Sequence, residues 1–455
     1  MSLEHALELA RAGRGQAEQD LLEELRIPSV STLAEHEPDM RRNGEWLAER
    51  FRGLGYEVAI TPVEGGRHPV LQADWRGAGD GAPTVTIYGH YDVQPPDPIE
   101  EWTTPPFEPT VRDGLVYARG AGDNKGNHMA ALKAAEYTIA AGSPVNLRFL
   151  LEGEEEIGGP SLPRYLEEHA ASLKSDVTLI WDGGFEADGH PSLVTGLRGM
   201  VYVDLVATGP GIDLHSGMFG GVAPNPCNTL ARVLGELKGR DGRITIPGFY
   251  DDVQAPSPEE SADWDRSDAY ANALRSLMRA DTLEGEADYA PVERQWGRPT
   301  LDVNGFVGGF TGEGSKTVIP ARASAKVSMR LVPHQDPEKI LASLREHVST
   351  LTTPGVDVQV VPHSSAPPVL VDWKSPATRA LRSAFEAAFE SKAVFVRTGG
   401  SIPVSVDFQH WVGGQIVCSG IVQPGSAAHS PNENLSLDHY HRGIESVVRF
   451  LHAVS

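Results

Sequence analysis

Strand patterns alternate with helical patterns through the first part of this chain, and that alternation limits the folds it can adopt. Three runs are typical of buried strands: 84–88, 145–151 and 177–181. Three segments have the spacing or composition of helices: 38–54, 127–141 and 160–171. Strands that alternate with helices form largely parallel sheets with helices on both faces. The sequence therefore predicts an α/β fold, with a largely parallel sheet flanked by helices.

The middle of the chain has a different pattern. Residues 201–207 and 323–331 alternate apolar and polar side chains, as strands do in a half-exposed sheet. A helix near 336–350 and a strand near 356–361 follow, whereas 247–300 is rich in Pro, Asp, Glu and Ser and contains fewer clear elements. These patterns predict a smaller α+β domain inserted into the first.

After the insertion the helical pattern resumes. Ser375 is the expected N-cap of a helix that has Pro376 at its first position, and a last helix covers 437–453. We therefore divide the chain into three segments: 1–194 and 367–455 as the two parts of the main domain, and 195–366 as the inserted domain.

Composition excludes several classes of partner. The 455 residues exceed what one core usually serves, and the formal net charge of −23 opposes binding to nucleic acid or to anionic membranes. No run approaches the roughly 20 apolar residues that span a bilayer, and 1–19 lacks the basic start and apolar run of a signal peptide.

Cys227 and Cys418 are too few for a disulfide framework, so a cytoplasmic protein is expected.

Four motifs that carry acidic or imidazole side chains share one expected position, because each follows a predicted strand. They are Gly89-His90-Tyr91-Asp92, Arg119–Gly126 (after a strand at 115–118), Glu152–Gly159 and Asp182-Gly183-Gly184. Ligands of open α/β sheets bind at the carboxyl ends of the strands. Side chains that are distant in sequence are therefore expected to converge there.

Each motif alone has a simpler interpretation. A His-x-Asp pair is commonly a hydrogen-bonded pair at a strand end, and Asp182 is a common type of N-cap. The run Glu154–Glu156 suits a solvated helix start, and the glycine-rich loop 119–126 could cradle phosphate at a helix N-terminus. However, Asp123 at the centre of that loop has the wrong charge for a phosphate site. Taken together, the four motifs favour a metal centre.

The residue types then suggest how two divalent cations would be held. A two-metal site needs a bridging carboxylate, terminal ligands and an open position for water. We expect Asp123 to bridge, His90 and Asp182 to bind one cation, and Glu156 to bind the other. His429, in Ala427-Ala428-His429-Ser430-Pro431-Asn432-Glu433, supplies the remaining imidazole. This ligand set suits zinc, and also manganese or cobalt.

Two further acidic residues have expected roles beside those ligands. Asp92 lies where it can orient the imidazole of His90. Glu155 can take the proton of a water that the two cations share.

The motifs in this order resemble the metallopeptidase and amidohydrolase family that contains carnosinase, cytosolic non-specific dipeptidase, aminoacylase, succinyl-diaminopimelate desuccinylase and carboxypeptidase G. The resemblance covers nearly the whole chain. Four further stretches are similar to the carnosinase and dipeptidase branch: Asp213–Gly221, Lys316–Pro320, Ser328–Pro333 and Gly399–Pro403. The resemblance implies that the inserted domain is a lid and dimerisation domain.

It also implies roles for residues of these stretches. His215 would act in the active site of the partner subunit and stabilise the oxyanion, which requires a homodimer. Arg330 and Thr317 would hold the substrate, and Ser401 would line its pocket. A guanidinium suits a peptide C-terminal carboxylate, because it makes two parallel hydrogen bonds to it.

The activity implied is hydrolysis of dipeptides, with Glu155 as base and Glu156 as ligand. A register one residue earlier, with Glu154 as base and Glu155 as ligand, stays open. An N-acyl- or N-carbamoyl-amino-acid amidohydrolase that uses the same centre is an alternative. A non-catalytic metal-binding protein is the alternative from another class, although such a protein would not need Glu155.

Overall fold

The structure is a computed structural model that describes residues 2–264, 267–398 and 404–455. These residues form two compact units. The first comprises 2–195, 371–395 and 404–455, and the second comprises the described residues of 196–370 together with 396–398. The inserted domain was expected at 195–366.

The helices of the described residues are numbered in chain order. Those before residue 195 are α1 (Leu3–Ala12), α2 (Arg14–Leu25), α3 (Glu37–Gly53), α4 (Lys125–Ala140) and α5 (Leu162–His169). Those of the second unit are α6 (Ser216–Phe219), α7 (Pro226–Glu236), α8 (Pro258–Trp264), α9 (Ser267–Met278), α10 (Pro291–Trp296) and α11 (Pro337–Leu351). The last three are α12 (Pro376–Phe389), α13 (Val404–Asp407) and α14 (Leu437–Ala453).

The strands follow the same order. The first eight are β1 (Glu57–Thr61), β2 (Val70–Trp75), β3 (Thr84–His90), β4 (Thr110–Arg112), β5 (Leu115–Tyr117), β6 (Asn146–Glu152), β7 (Val177–Trp181) and β8 (Ser192–Leu197). The next seven are β9 (Gly199–Thr208), β10 (Leu214–His215), β11 (Thr300–Gly308), β12 (Val318–Ile319), β13 (Arg322–Leu331), β14 (Asp357–Ala366) and β15 (Val369–Leu370). The last three are β16 (Val394–Thr398), β17 (Gln415–Ser419) and β18 (Asn434–Ser436).

The first unit is built on a mixed sheet with strand order β1-β2-β6-β3-β7-β17-β8. The strands β6, β3, β7 and β17 pair in parallel, whereas β1, β2 and β8 pair with their neighbours in the antiparallel sense. Every residue of β3, β6 and β7 is buried, as expected for a parallel sheet that is covered on both faces. The α/β fold with a largely parallel, helix-flanked core is confirmed.

The strand that precedes the Asp123 loop does not belong to this sheet. β5 pairs with β4 and with β18 in a separate three-stranded antiparallel sheet. The prediction that all four motifs follow strands of one sheet is therefore wrong for this loop. The partner strand β18 comes from the C-terminal part of the chain, so no local pattern around 115–118 identifies it.

The second unit contains a four-stranded antiparallel sheet with order β11-β13-β9-β14. Alternate residues of β9 and β13 point into the core, among them Val203, Leu205, Val327 and Met329. Helix α7 packs against β9 and β13, and helix α11 packs against β9 and β14. This is the α+β architecture that the alternating patterns predicted.

The long elements lie within a few residues of the predicted bounds. Ser375 caps α12, since its side chain accepts a hydrogen bond from the backbone N–H of Thr378. The region 247–300, in which few elements were expected, contains α8, α9 and α10 in its described part. Within the described residues, no helix combines the length and the apolar character needed to cross a membrane.

Candidate metal centre

Three of the expected ligands follow adjacent parallel strands of the first unit. His90 is the last residue of β3, Glu156 lies in a single 3₁₀ turn after β6, and Asp182 directly follows β7. Since β6, β3 and β7 are neighbours and run in parallel, their carboxyl ends lie side by side. The sheet itself therefore brings these three side chains to one place.

The other two expected ligands arrive on loops. Asp123 lies two residues before α4, and His429 lies in the loop between β17 and β18. His429 has a backbone φ of 61°, in the left-handed region that non-glycine residues rarely occupy. Such a conformation persists only where the surrounding structure holds it, and it is frequent at functional sites.

Asp123 lies between the two imidazoles. Its Oδ1 is 3.0 Å from Nε2 of His90, and its Oδ2 is 3.0 Å from Nε2 of His429. Glu156 Oε2 is 3.3 Å from Nε2 of His429, and Asp182 Oδ1 is 3.7 Å from Nε2 of His90. The carboxylate of Asp123 thus separates a His90–Asp182 side from a His429–Glu156 side.

Asp92 contacts both the imidazole of His90 and the turn that carries Glu156. Nδ1 of His90 lies 3.0 Å from the carbonyl oxygen of Asp92, so this ring nitrogen carries the proton and donates it. The other ring nitrogen, Nε2, faces the carboxylate of Asp123 and is the atom that would bind a cation there. The carboxylate of Asp92 accepts a hydrogen bond from the backbone N–H of Glu156 at 3.1 Å.

The carboxylates around Asp123 outnumber the two imidazoles, and the excess negative charge changes the pKa values of these groups. Hydrogen bonds to Asp123 and Glu156 raise the pKa of His429 to about 10. Burial alone would lower the pKa of His90, but Asp182 and Asp123 hold it well above its usual value. Burial raises the pKa of Glu155 to about 8, and the carboxylates of Asp182 and Glu156 contribute to that increase. This excess negative charge is what divalent cations would neutralise.

The donor atoms fit such cations. One ligand atom each from His90, Asp123 and Glu156 lies within 4.8 Å of the others. Glu156 Oε1 and Asp92 Oδ1 are buried and accept no hydrogen bond from the described residues. Buried carboxylate oxygens without a partner are costly unless a cation or water satisfies them.

The three consecutive glutamates have different surroundings. The carboxylate of Glu154 is buried and accepts hydrogen bonds from three backbone N–H groups, those of Arg67, His68 and Ser161. The side chain of Glu154 therefore holds the segment 67–68 and the start of α5. Glu155 and Glu156 are the two that take part in the charge cluster around Asp123.

Two polar residues of the motifs, Gln94 and Asn124, orient ligands but were not singled out from the sequence. Nε2 of Gln94 donates to Glu156 Oε2 at 2.7 Å. Nδ2 of Asn124 donates to Asp182 Oδ1 at 2.7 Å. Both lie within two positions of an expected site residue, and their amides are the only sequence signal for these roles.

Glu433 was quoted in the His429 motif without a role, and the structure shows what it contacts. Its buried carboxylate accepts hydrogen bonds from the backbone N–H groups of Gly120, Gly122 and Asp123 at 2.9–3.0 Å. Arg119 Nη1 donates to the same carboxylate at 2.7 Å. Glu433 thereby fastens the Asp123 loop to the segment that carries His429.

The remaining expected site residues lie in the second unit or outside the described residues. His215 is the last residue of β10 and pairs with Val318 of β12, and its side chain is exposed. Thr317 directly precedes β12. Arg330 lies on β13 and is half-buried. Ser401 and the rest of 399–403 lie outside the residues that the structure describes.

Comparisons with known proteins identify the family of this chain. Residues 86–453 match Peptidase family M20/M25/M40, and the chain belongs to that family. The Cys-Gly metallodipeptidase dug1 of Schizosaccharomyces pombe is 30% identical over 100% of this chain and 99% of its own length. The resemblance to the carnosinase and dipeptidase branch is confirmed.

Two crystal structures have the same fold. The M20 family metallo-carboxypeptidase Sso-CP2 from Sulfolobus solfataricus has a TM-score of 0.84 and 33% identity, covering 96% of this chain and 99% of the other. Human carnosine dipeptidase 1 has a TM-score of 0.82 and 27% identity, covering 99% and 98%.

Proposed function

We propose that this protein is a two-metal dipeptidase, and the position of Asp123 between His90 and His429 carries the proposal. One carboxylate that offers an oxygen to each of two imidazoles, with Asp182 on one side and Glu156 on the other, is the arrangement a bridged pair of cations needs. The family membership and the names of the relatives, which include metallodipeptidases, support the substrate class.

The residues on each side define how the cations would be shared. His90 and Asp182 would hold one, His429 and Glu156 the other, and Asp123 both. Cations bound there would polarise the peptide carbonyl and lower the pKa of the attacking water. Imidazole and carboxylate donors favour zinc, and they also accept manganese or cobalt.

Glu155 is the proposed general base. It adjoins Glu156, the proposed ligand, and burial raises its pKa to about 8 in the metal-free protein, so this carboxyl can bind a proton. It would accept the proton of the attacking water and return it to the leaving amine. The hydrogen bonds that hold Glu154 elsewhere support Glu155 over Glu154 in this role.

His215 is the proposed oxyanion donor, acting in the site of the partner subunit of a homodimer. Its Nδ1 accepts a hydrogen bond from the backbone N–H of Gly217 at 3.0 Å, so the ring proton lies on Nε2. An exposed imidazole with a protonated Nε2 can donate to an oxygen that becomes negatively charged. Arg330 and Thr317 would hold the substrate, with Ser401 in its pocket.

The compartment proposed is the cytoplasm. Within the described residues both cysteines are free, as is usual where thiols are kept reduced.

Glu155→Gln tests the central assignment. The variant should bind as much metal as wild type, because Glu155 is not a proposed ligand, and should lose turnover of dipeptides by about 10²-fold or more. Metal content is measured after loading with zinc, manganese or cobalt, and activity on a panel of dipeptides, N-acetyl- and N-succinyl-amino acids.

Glu154→Gln is the matched control on the neighbouring residue, and it should retain turnover. An active Glu155→Gln together with an inactive Glu154→Gln would favour the earlier register. Turnover of the acyl-amino acids alone would replace dipeptides as the substrate, and inactivity on every amide would support a non-catalytic metal protein.

Mixing two inactive variants tests the role of His215. A dimer of one His215→Ala subunit and one Glu155→Gln subunit has one complete site if His215 acts on the partner, and none if it acts on its own subunit. Random mixing in equal amounts should therefore restore about a quarter of wild-type activity. Mass spectrometry would show whether the mixture contains the mixed dimer. If it does and no activity is recovered, His215 does not act across the interface.

A further inference from the structure

A buried histidine that the proposed reaction does not use lies behind His90. His128, in the first turn of α4, is fully buried, and its Nδ1 lies 2.9 Å from the backbone carbonyl oxygen of His90. Since a carbonyl oxygen only accepts hydrogen bonds, Nδ1 carries a proton. The other ring nitrogen, Nε2, lies 2.8 and 2.9 Å from the two carboxylate oxygens of Glu24.

Glu24 is itself held in place. It lies in the last turn of α2, is fully buried, and accepts a hydrogen bond from Asn43 Nδ2 at 3.4 Å. Lys125 Nζ donates to the backbone carbonyl of Glu24 at 3.2 Å and to that of Ile27 at 2.7 Å. The start of α4 therefore contacts both the side chain and the backbone at the end of α2.

The close approach of α4 to β3 depends on a glycine. A Cβ at Gly89 would lie 2.8 Å from Asn124 Oδ1, which is closer than real Cβ atoms come, and 3.0 Å from Cβ of His128, which is tighter than most real contacts. Without that atom, His128 reaches the carbonyl of the next residue along β3, His90. This gives the glycine of the Gly89-His90-Tyr91-Asp92 motif a packing reason.

The carbonyl of the following residue is held from the same side. Tyr91 accepts hydrogen bonds at its backbone oxygen from Ser29 Oγ at 2.6 Å and from Asn43 Nδ2 at 3.1 Å. Two successive peptide groups, including that of the proposed ligand His90, are thus fixed by buried side chains. Glu24, Ser29 and Asn43 all precede the family match at 86–453.

We propose that Glu24 and His128 are positioning residues for the metal centre. Through the hydrogen bond to its carbonyl, they fix the backbone of His90, so that the imidazole faces Asp123. Rotation of this peptide would leave buried polar groups without partners, which is costly. The proposal rests on the cation site proposed above and assigns part of its support to helix α2.

Three variants test the proposal: His128→Leu, His128→Asn and Glu24→Gln. Zinc dissociation constants are measured by competition with a chromophoric chelator, on metal-free protein shown to be folded by circular dichroism. His128→Leu should weaken one of the two zinc-binding steps by about tenfold or more and lower kcat more than it raises KM. His128→Asn keeps a donor near the position of Nδ1 and should restore most of the affinity, and Glu24→Gln should give an intermediate loss.

A second buried histidine provides the control. Nε2 of His441 on α14 lies 2.7 Å from Oε1 of Glu18, which also belongs to α2. This pair contacts none of the proposed ligands. His441→Leu should lower the stability and leave both zinc dissociation constants unchanged.

The outcomes separate this inference from the function. Folded His128→Leu and Glu24→Gln proteins that keep zinc affinity within about twofold of wild type and keep kcat would show a purely structural role. If His128→Leu does not fold, Glu24→Gln decides. A wild-type protein that binds no zinc and hydrolyses no dipeptide would instead contradict the proposed function.

Discussion

The guanidinium of Arg119 and the carboxylate of Glu433 form a fully buried ion pair, with Nη1 and Oε2 2.7 Å apart. The chain positions of the two residues lie 314 apart. Glu433 also accepts hydrogen bonds from three backbone N–H groups of the Asp123 loop. The pair therefore joins this loop to the segment of His429, and each of the two carries a proposed ligand. A buried pair of this kind contributes little net stability compared with an apolar pair, but removing one partner is costly.

We predict that Glu433→Gln lowers the free energy of unfolding of the metal-free protein by about 3–5 kcal/mol, because it leaves Arg119 charged and unpaired in the interior. The measurement is urea unfolding followed by circular dichroism. The control is Glu445→Gln, whose partners Arg11 and Arg14 are half exposed, and it should cost less than about 1 kcal/mol. Equal costs for the two variants would contradict the role of Glu433.

The three backbone hydrogen bonds of Glu154 lead to a separate prediction. Glu154→Gln offers one oxygen acceptor in place of two, so at least one buried N–H loses its partner. The free energy of unfolding should fall by about 1–3 kcal/mol. Glu167→Gln, on the exposed face of α5, should leave it within about 0.5 kcal/mol of wild type. An unchanged unfolding midpoint for Glu154→Gln would show that these hydrogen bonds do not hold the turn.

The buried carboxyl of Glu152 predicts a pH dependence of stability. It accepts a hydrogen bond from the hydroxyl of Tyr88 at 2.7 Å, and burial raises its pKa from 4.5 to about 8. The folded state therefore binds more protons than the unfolded state between these values. The stability that Glu152 contributes is fully present below pH 4.5 and is lost as the pH rises through about 8.

Glu152→Gln isolates that contribution, because the amide does not titrate and its oxygen can still accept from Tyr88. Urea midpoints of the metal-free wild type should fall relative to those of Glu152→Gln as the pH rises to 9. Glu49→Gln, exposed on α3, should show no such divergence from wild type. Parallel midpoints for wild type and Glu152→Gln across this range would contradict the raised pKa of Glu152.

The two cysteines should differ in reactivity. Cys418 on β17 is 1% exposed, and burial together with Asp182 raises the pKa of its thiol to about 12. Cys227 on α7 is partly exposed, although burial also raises its pKa. Because the thiolate is the reactive form, iodoacetamide at pH 8 should modify Cys227 first and leave Cys418 unmodified until the protein unfolds. Peptide mass spectrometry checks the order, and equal rates in the native protein would contradict it.

The sequence predicted most reliably what depends on local pattern. The strands β3, β6 and β7 are short runs rich in β-branched, aromatic and other apolar residues, so their positions, and those of the His90, Glu156 and Asp182 motifs that follow them, could be placed. The strand β5 was predicted, but its sheet could not be assigned correctly, because its three residues pair with β18 from the C-terminal part of the chain. Short helices such as α8 and α10 were missed, because Pro and acidic residues are typical of both helix starts and loops.

The site was predictable in its residue types but not in its contacts. A run of three glutamates does not show which carboxylate turns away, since that depends on the backbone of the segment 67–68. Likewise, nothing near Glu24 in the sequence indicates that it contacts His128, which lies 104 positions further along. Such contacts follow from tertiary packing, and no sequence spacing encodes them.

Translation order gives the placement of His429 a further consequence. A ribosome exposes His90, Asp123, Glu156 and Asp182 long before it reaches the loop that carries His429 and the Glu433 carboxylate. Of the proposed ligands, a nascent chain therefore presents only one imidazole, that of His90, and the proposed bridging residue Asp123 lacks the carboxylate that fastens its loop. The proposed ligand set is therefore complete only after synthesis has passed this loop, and a chain interrupted upstream of it lacks one of the two proposed imidazoles.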